Sequence, residues 1–121
     1  AQYVQRMRSA DVIIDQLYSY SPATNALQTM ALGRVTASGG QREYYDYIRE
    51  DSRPIFCLSP LEDEAVIKER LRSLTADKEG LRRMAENGRR LVERHNDVRD
   101  IAALFERHWQ RLIKGSAYGD E

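Results

Sequence analysis

The sequence predicts an α/β domain in which a parallel sheet of about three strands, part of a doubly wound Rossmann-like sheet, is covered by C-terminal helices. Three short runs have the composition of strands: residues 11–15, which are rich in β-branched side chains, and residues 34–38 and 54–58. Helix-length segments separate them, and this spacing is typical of right-handed βαβ units with parallel strands. The more highly charged second half carries apolar residues at helical spacing. One layered domain over residues 1–121 accounts for both halves.

The first half supplies the strands and the helices between them. Ser21 is expected to cap a helix with Pro22 at its first position, because serine and proline favour helix starts. Gly33 is expected to end that helix, since glycine favours the position just after a helix end. The Gly-Gly pair at 39–40 then breaks the second strand and leads into a tyrosine-rich segment, residues 43–48.

The second half predicts three amphipathic helices. Ser59 and Glu62 form a predicted capping box, with Pro60 as the first helical residue. Asp77 is expected to cap the next helix, and Asn96 or Asp97 to start the last one. We expect all three helices to cover the sheet and to expose their Arg and Glu side chains to solvent. The apolar face of the last helix consists of Val98, Ile101, Ala102, Phe105, Trp109 and Leu112.

Composition restricts the class of function. The 121 residues include 19 Lys+Arg and 19 Asp+Glu, so the net charge is zero and the basic excess typical of nucleic-acid binders is missing. A single cysteine, Cys57, excludes an internal disulfide and a cysteine zinc cluster, and favours a reducing, cytoplasmic location. No signal peptide or membrane-spanning run is recognisable. We expect a piece of a longer protein, because the chain begins without methionine, and a frayed tail over residues 115–121.

The candidate binding site lies where the predicted strands end, because α/β sheets bind ligands beyond the carboxyl ends of their strands. The loop at 16–22 leads into a helix whose first amides, at Ala23, Thr24 and Asn25, are expected to bind an anion. The hydroxyls of Ser21 and Thr24 would assist them. This pattern predicts a phosphate or nucleotide pocket, with a plain capped helix as the alternative.

Two further loops are expected at the same edge of the sheet. The first, residues 38–43, contains Gly39 and Gly40, which would let the backbone approach a ligand closely. The second is the short connection at 58–59. Asp15, at the end of the first strand, either faces this pocket or simply flanks the strand.

Several aromatic, histidine and cysteine side chains outside these loops have a structural interpretation. Tyr44, Tyr45 and Tyr47 either stack on a base or sugar, or form a half-buried helix face. His95 is expected to complement the dipole at a helix end. Cys57 is expected to act as a small buried apolar side chain.

One pattern extends along nearly the whole chain. Residues 10–14 (ADVII) are followed by a helix, a strand and a Gly-Gly pair over residues 26–40, and then by Glu43. A GR--V--H motif follows at 88–95, and Trp109 lies in a long terminal helix. In order and spacing these motifs resemble the C-terminal nucleotide-sugar-binding domain of GT-B glycosyltransferases of the group 1 type.

The resemblance implies a donor site. In that family, amides at the start of the first crossover helix hold the nucleotide diphosphate, and an E-x7-E pair of glutamates binds the donor sugar and the ribose. Here Tyr20 and Gln28 take the positions of the two glutamates, so both carboxylates are replaced by neutral groups. The donor-binding residues carried over are Tyr20, Ser21, Ala23, Thr24, Asn25, Gln28, Gly39, Gly40 and Glu43.

The resemblance also implies an activity for the parent protein. It would transfer a sugar from a nucleotide-activated donor to an acceptor, as in polysaccharide biosynthesis, with no metal or other cofactor. The acceptor site and the basic residues that neutralise the leaving diphosphate would belong to the missing N-terminal part of a parent peripheral to the membrane. No catalytic residue is assigned within this chain, which is expected to be inactive alone.

Two alternatives from other classes stay open. The replaced glutamates also suit a nucleotide-sugar epimerase or a catalytically weakened relative. A non-enzymatic α/β module that binds a partner protein is the other. We further expect the isolated chain to form homodimers in part, because an incomplete sheet has exposed edges that pair with one another.

Overall fold

The computed structural model describes residues 2–59 and 61–116, which form six helices and a three-stranded parallel sheet. This confirms the predicted α/β class and the parallel strands. Gly115 and Ser116 belong to the last helix, and the rest of the predicted tail lies outside the described residues. In chain order the elements are α1 (Gln2–Ser9), β1 (Val12–Ile14), α2 (Thr24–Ala31), β2 (Val35–Ser38), α3 (Arg42–Ile48), β3 (Phe56–Cys57), α4 (Glu64–Ala76), α5 (Lys78–His95) and α6 (Val98–Ser116).

The sheet has the order β1-β2-β3, with β2 in the centre. Both pairings are parallel, so a helix crosses between each pair of neighbours and the three carboxyl ends lie at one edge. Pairing continues just beyond the strands, where the Asp15 amide donates to the Ala37 carbonyl at 2.9 Å and the Leu58 amide to the Ser38 carbonyl at 3.1 Å. The loops after the strands therefore start from fixed and adjacent positions.

Two apolar clusters form the core. One face of the sheet contributes Val35, Ala37, Phe56 and Leu58, and partly buried side chains of α4 and α5 pack on it. This confirms two of the three predicted covering helices. A second cluster joins α2, α3 and α5 through Met30, Tyr45, Ile55, Leu91 and Val92. None of the described helices combines the length and the apolar composition that crossing a bilayer requires.

Two predicted helix starts are wrong. Helix α2 begins after Ala23, which has an extended backbone and offers no side-chain cap, whereas Ser21 lies in a turn where its carbonyl accepts from the Ser19 hydroxyl at 2.6 Å. Helix α4 begins after Asp63, whose Oδ1 accepts from the Ala65 amide at 2.8 Å. Ser59 instead accepts from the Leu61 amide at 3.2 Å, within a turn.

A competing ion pair explains the later start of α4. Glu62, the expected capping-box glutamate, binds the guanidinium of Arg70 with both carboxylate oxygens, at 2.7 and 2.6 Å. Arg70 also donates to the Cys57 carbonyl at 2.9 Å and lies 4.6 Å from the centre of the Phe56 ring. By contrast, the prediction for Asp77 is confirmed, since its Oδ1 accepts from the Gly80 amide at 2.8 Å.

The prediction that α6 covers the sheet is wrong. Within the described residues, α6 makes only sparse contacts with the other elements. Its apolar side chains face solvent, with Val98 77% and Trp109 60% exposed. Helices α4 and α5, rather than α6, pack on the face of the sheet that contributes Val35, Ala37 and Phe56. The other exposed apolar residues of α6 are Ile101, Leu104, Phe105, Leu112 and Ile113.

Gly33 ends α2, as predicted. Its φ of +67° is left-handed, its amide donates to the Met30 carbonyl at 2.9 Å, and the Arg34 amide donates to the Thr29 carbonyl at 3.1 Å. These two bonds form a Schellman motif, which satisfies the last carbonyls of the helix and turns the chain into β2.

We expect Gly33→Ala to lower the free energy of unfolding by about 1 kcal/mol, because a β-carbon disfavours the left-handed conformation. A β-carbon there would meet no atom within 4 Å, so the cost is conformational rather than steric. Urea unfolding measures the change. Gly115→Ala is the matched control, because Gly115 also has open space around it but lies within α6. Equal stability of the two variants would contradict the assignment.

Candidate functional site

A cleft of about 320 Å³ lies at the carboxyl edge of the sheet, where the loops after the three strands meet. We call it the carboxyl-edge cleft. Its walls are mostly aromatic and apolar, and its polar groups come from serine and glutamine side chains and from the backbone. The lining residues are Leu17, Tyr18, Ser19, Tyr20, Gln41, Ser59 and Leu61.

Two contacts hold the first loop against the second. A β-carbon on Gly39 would lie 2.1 Å from the Ser19 carbonyl oxygen, so only glycine permits this approach of the two backbones. The Gln41 amide then donates to the Tyr20 carbonyl at 3.1 Å. Gly40 is confined on its other side, since a β-carbon would lie 2.9 Å from Ile55. Both glycines therefore allow other parts of the chain to pack closely against this loop. This packing fixes the position of the cleft walls.

A polar network lies behind the cleft, between β1, β2 and α2. Asp15 Oδ1 accepts from Asn25 Nδ2 at 2.9 Å, and Asp15 Oδ2 accepts from the Ser38 hydroxyl at 3.2 Å. The Tyr3 hydroxyl of α1 donates to Asn25 Oδ1. Asp15 thus connects the ends of two strands to the first turn of α2.

The start of α2 has two opposing electrostatic features. Ala23 provides no side-chain cap, so the first-turn amides, which have no partner within the helix, can donate to solvent or a ligand. Their partial positive charge attracts anions. However, Asp15 is bound to Asn25 in that same turn and places a carboxylate nearby. A phosphate at this helix start would be attracted by the amides and repelled by Asp15.

The structure does not bring all the predicted donor-binding residues together. Tyr20 lines the carboxyl-edge cleft, and Ser21 lines a separate cleft between α2, α3 and the end of α5. Thr24 and Gln28 line a groove between α2 and α5. Glu43 is exposed in the first turn of α3. The remaining four lie at the start of α2 or in the loop before α3, namely Ala23, Asn25, Gly39 and Gly40.

The three tyrosines of α3 have different environments. Tyr45 is buried, and its hydroxyl accepts from the Ile55 amide at 3.2 Å. Burial raises the pKa of Tyr45 to about 12. Tyr44 is half-buried, and its ring meets the Tyr45 ring edge to face with 5.3 Å between the ring centres. The pKa of Tyr44 is raised, mainly by burial and to a smaller extent by the nearby Glu50 carboxylate. Tyr47 is 87% exposed, so only this ring is fully open to a ligand.

The sequence did not predict a charged cluster that is centred on Glu50. Its side chain is only 8% exposed, and one carboxylate oxygen meets Arg94 at 2.6 Å and His95 at 3.1 Å. The other accepts from the Ser52 amide and hydroxyl at 3.2 and 2.9 Å. Burial by itself would raise the pKa of Glu50, but the bonds from Ser52, His95 and Arg94 lower it to about 2. In the sequence Glu50 is one of two adjacent acidic residues in a loop, and no spacing relates it to residues 94 and 95.

Comparison with family models, with curated proteins and with solved structures finds no match to this chain. The fold and the geometry of the cleft are therefore the basis for any statement about function.

Glu50 predicts a pH dependence of stability. Because the folded pKa of about 2 lies below the ordinary value of 4.5, its contribution is complete above pH 4.5 and disappears as the pH falls towards 2. Glu50→Gln should lower the free energy of unfolding at neutral pH by about 1–3 kcal/mol, since Arg94 and His95 lose their charged partner. Urea unfolding at several pH values should show the gap to wild type narrowing in acid. A difference in unfolding free energy that stays constant with pH would contradict this role of Glu50. An equal loss of stability in the exposed control Glu69→Gln would contradict it too.

Proposed function

We propose that the chain is the donor-binding region of a glycosyltransferase of the GT-B type, and that a nucleotide diphosphate-sugar binds at the carboxyl edge of its sheet. The observation that supports this most is the meeting of the first two strand-end loops, held together by Gly39 against Ser19 and by Gln41 against Tyr20. Parallel sheets of this kind bind nucleotides at this edge.

In this proposal the base lies against the aromatic wall of the carboxyl-edge cleft. Tyr18 and Tyr20 are 83% and 79% exposed, so their ring faces are open to stacking. The Gln41 and Ser59 side chains would then supply hydrogen bonds to base or ribose edges. The diphosphate would extend towards the uncapped first turn of α2.

The contribution of this region to the reaction would be electrostatic. Fixed amide donors at the start of α2 would stabilise the negative charge that develops on the departing diphosphate. Gln28 faces the groove between α2 and α5, and Tyr20 carries no carboxylate, so neither would bind the sugar as the family's glutamates do. The missing acceptor site and the upstream basic residues would come from another part of a longer, cytoplasmic parent that is peripheral to the membrane and whose sheet is doubly wound.

A second candidate function is a non-enzymatic module that binds a protein partner. The exposed apolar side chains of α6 favour it, because a large unpacked apolar surface is typical of an interaction site. In that case the strand-end loops would bind no nucleotide.

The position of Asp15 allows a sharp test by nuclear magnetic resonance titration with UDP, GDP and uridine. Asp15→Asn should tighten diphosphate binding roughly fivefold, because it removes one negative charge beside the amides of α2. Uridine, which has no phosphate, should bind both proteins equally. Asp11→Asn is the matched control, since Asp11 precedes the same strand at its opposite end, where it pairs with Arg34 at 3.9 Å.

Amide shifts should be confined to residues 19–28 and 38–43. Unchanged shifts at millimolar UDP and GDP would refute the proposed site in this chain. An equal gain of affinity in both aspartate variants would show that the phosphates bind elsewhere.

A further inference from the structure

Large apolar side chains along one side of helix α6 are exposed to solvent. At 3.6 residues per turn, its large apolar side chains occupy about half of the helix circumference, and the charged residues occupy the other half. We define the α6 apolar face by six of these side chains, which are between 36% and 77% exposed. They are Val98, Ile101, Leu104, Phe105, Trp109 and Ile113.

The α6 apolar face is large for a surface meant to face water. The exposed parts of its six side chains amount to roughly 700 Å², above the 300–600 Å² of the largest patch on a typical monomer. Two such faces pressed together would bury at most about 1,400 Å², reached if every exposed part were covered, and this upper bound lies within the 1,200–2,000 Å² range of stable protein interfaces. The face is therefore large enough for a dimer formed by α6 alone.

We propose that the α6 apolar face binds the same face of a second copy of this chain, with the two helices antiparallel. A two-fold axis at Phe105 places the two Phe105 rings against each other. The same register brings Ile101 opposite Trp109 of the other copy, and Trp109 opposite its Ile101. One patch then contacts itself, as a closed two-fold interface requires.

Sedimentation of the full 121-residue chain over a wide concentration range tests the proposal. The wild type should be dimeric at high concentration. Phe105→Glu should weaken the dimer more than a hundredfold, because it buries two charges at the centre of the interface. Tyr47→Glu, which alters an exposed aromatic residue on α3, is the matched control and should leave the dimer unchanged.

Circular dichroism of each variant monitors folding, so that loss of the dimer is not confused with loss of the helix.

Three outcomes would overturn the proposal. The first is a wild type that stays monomeric at every concentration. The second is a dimer that Phe105→Glu leaves intact, which would instead assign pairing to the open edges of the sheet. The third is a monomer that binds vesicles of phosphatidylcholine and phosphatidylserine through Phe105, which would assign the face to lipid. Nucleotide titration tests the carboxyl-edge cleft separately. The sedimentation result therefore does not decide whether the cleft binds nucleotide, and the titration does not decide whether α6 forms a dimer.

Discussion

The parallel pairing of β2 with both of its neighbours is the constraint on which the rest of the structure depends. Because the three strands run the same way, all three following loops begin at one edge of the sheet. The same pairing aligns Val35 and Ala37 with Phe56 on the face that α4 and α5 cover. Packing on that face and the formation of the carboxyl-edge cleft thus have a common cause.

Local patterns in the sequence predicted the elements well and their ends less well. The short predicted runs located all three strands, and Gly33 located a helix end, because buried strands and left-handed turns restrict composition strongly. The helix start predicted at Ser21 was wrong because residues 19–21 form a turn, and α2 begins after Ala23 with no side-chain cap. The start predicted at Ser59 was wrong because Glu62 is bound to Arg70, eight residues away, and Asp63 caps α4 instead.

The site and the surface depended on contacts that no local pattern encodes. The approach of Ser19 to Gly39, and the pairing of Glu50 with Arg94 and His95, join parts of the chain that only the fold brings together. Amphipathicity correctly identified α6 as a helix with an apolar face. It could not say whether the same chain covers that face, since α4 and α5 present apolar stripes of the same kind and do pack on the sheet.

The most direct test of the proposed nucleotide site is a set of intermolecular nuclear Overhauser effects between UDP or GDP and the chain. The account predicts contacts from base and ribose protons to the Tyr18 and Tyr20 rings and to the Gln41 side chain, which line the carboxyl-edge cleft. Tyr47, equally exposed on α3 but outside the cleft, should show none. Contacts to Tyr47 without contacts to Tyr18 or Tyr20 would contradict the central claim.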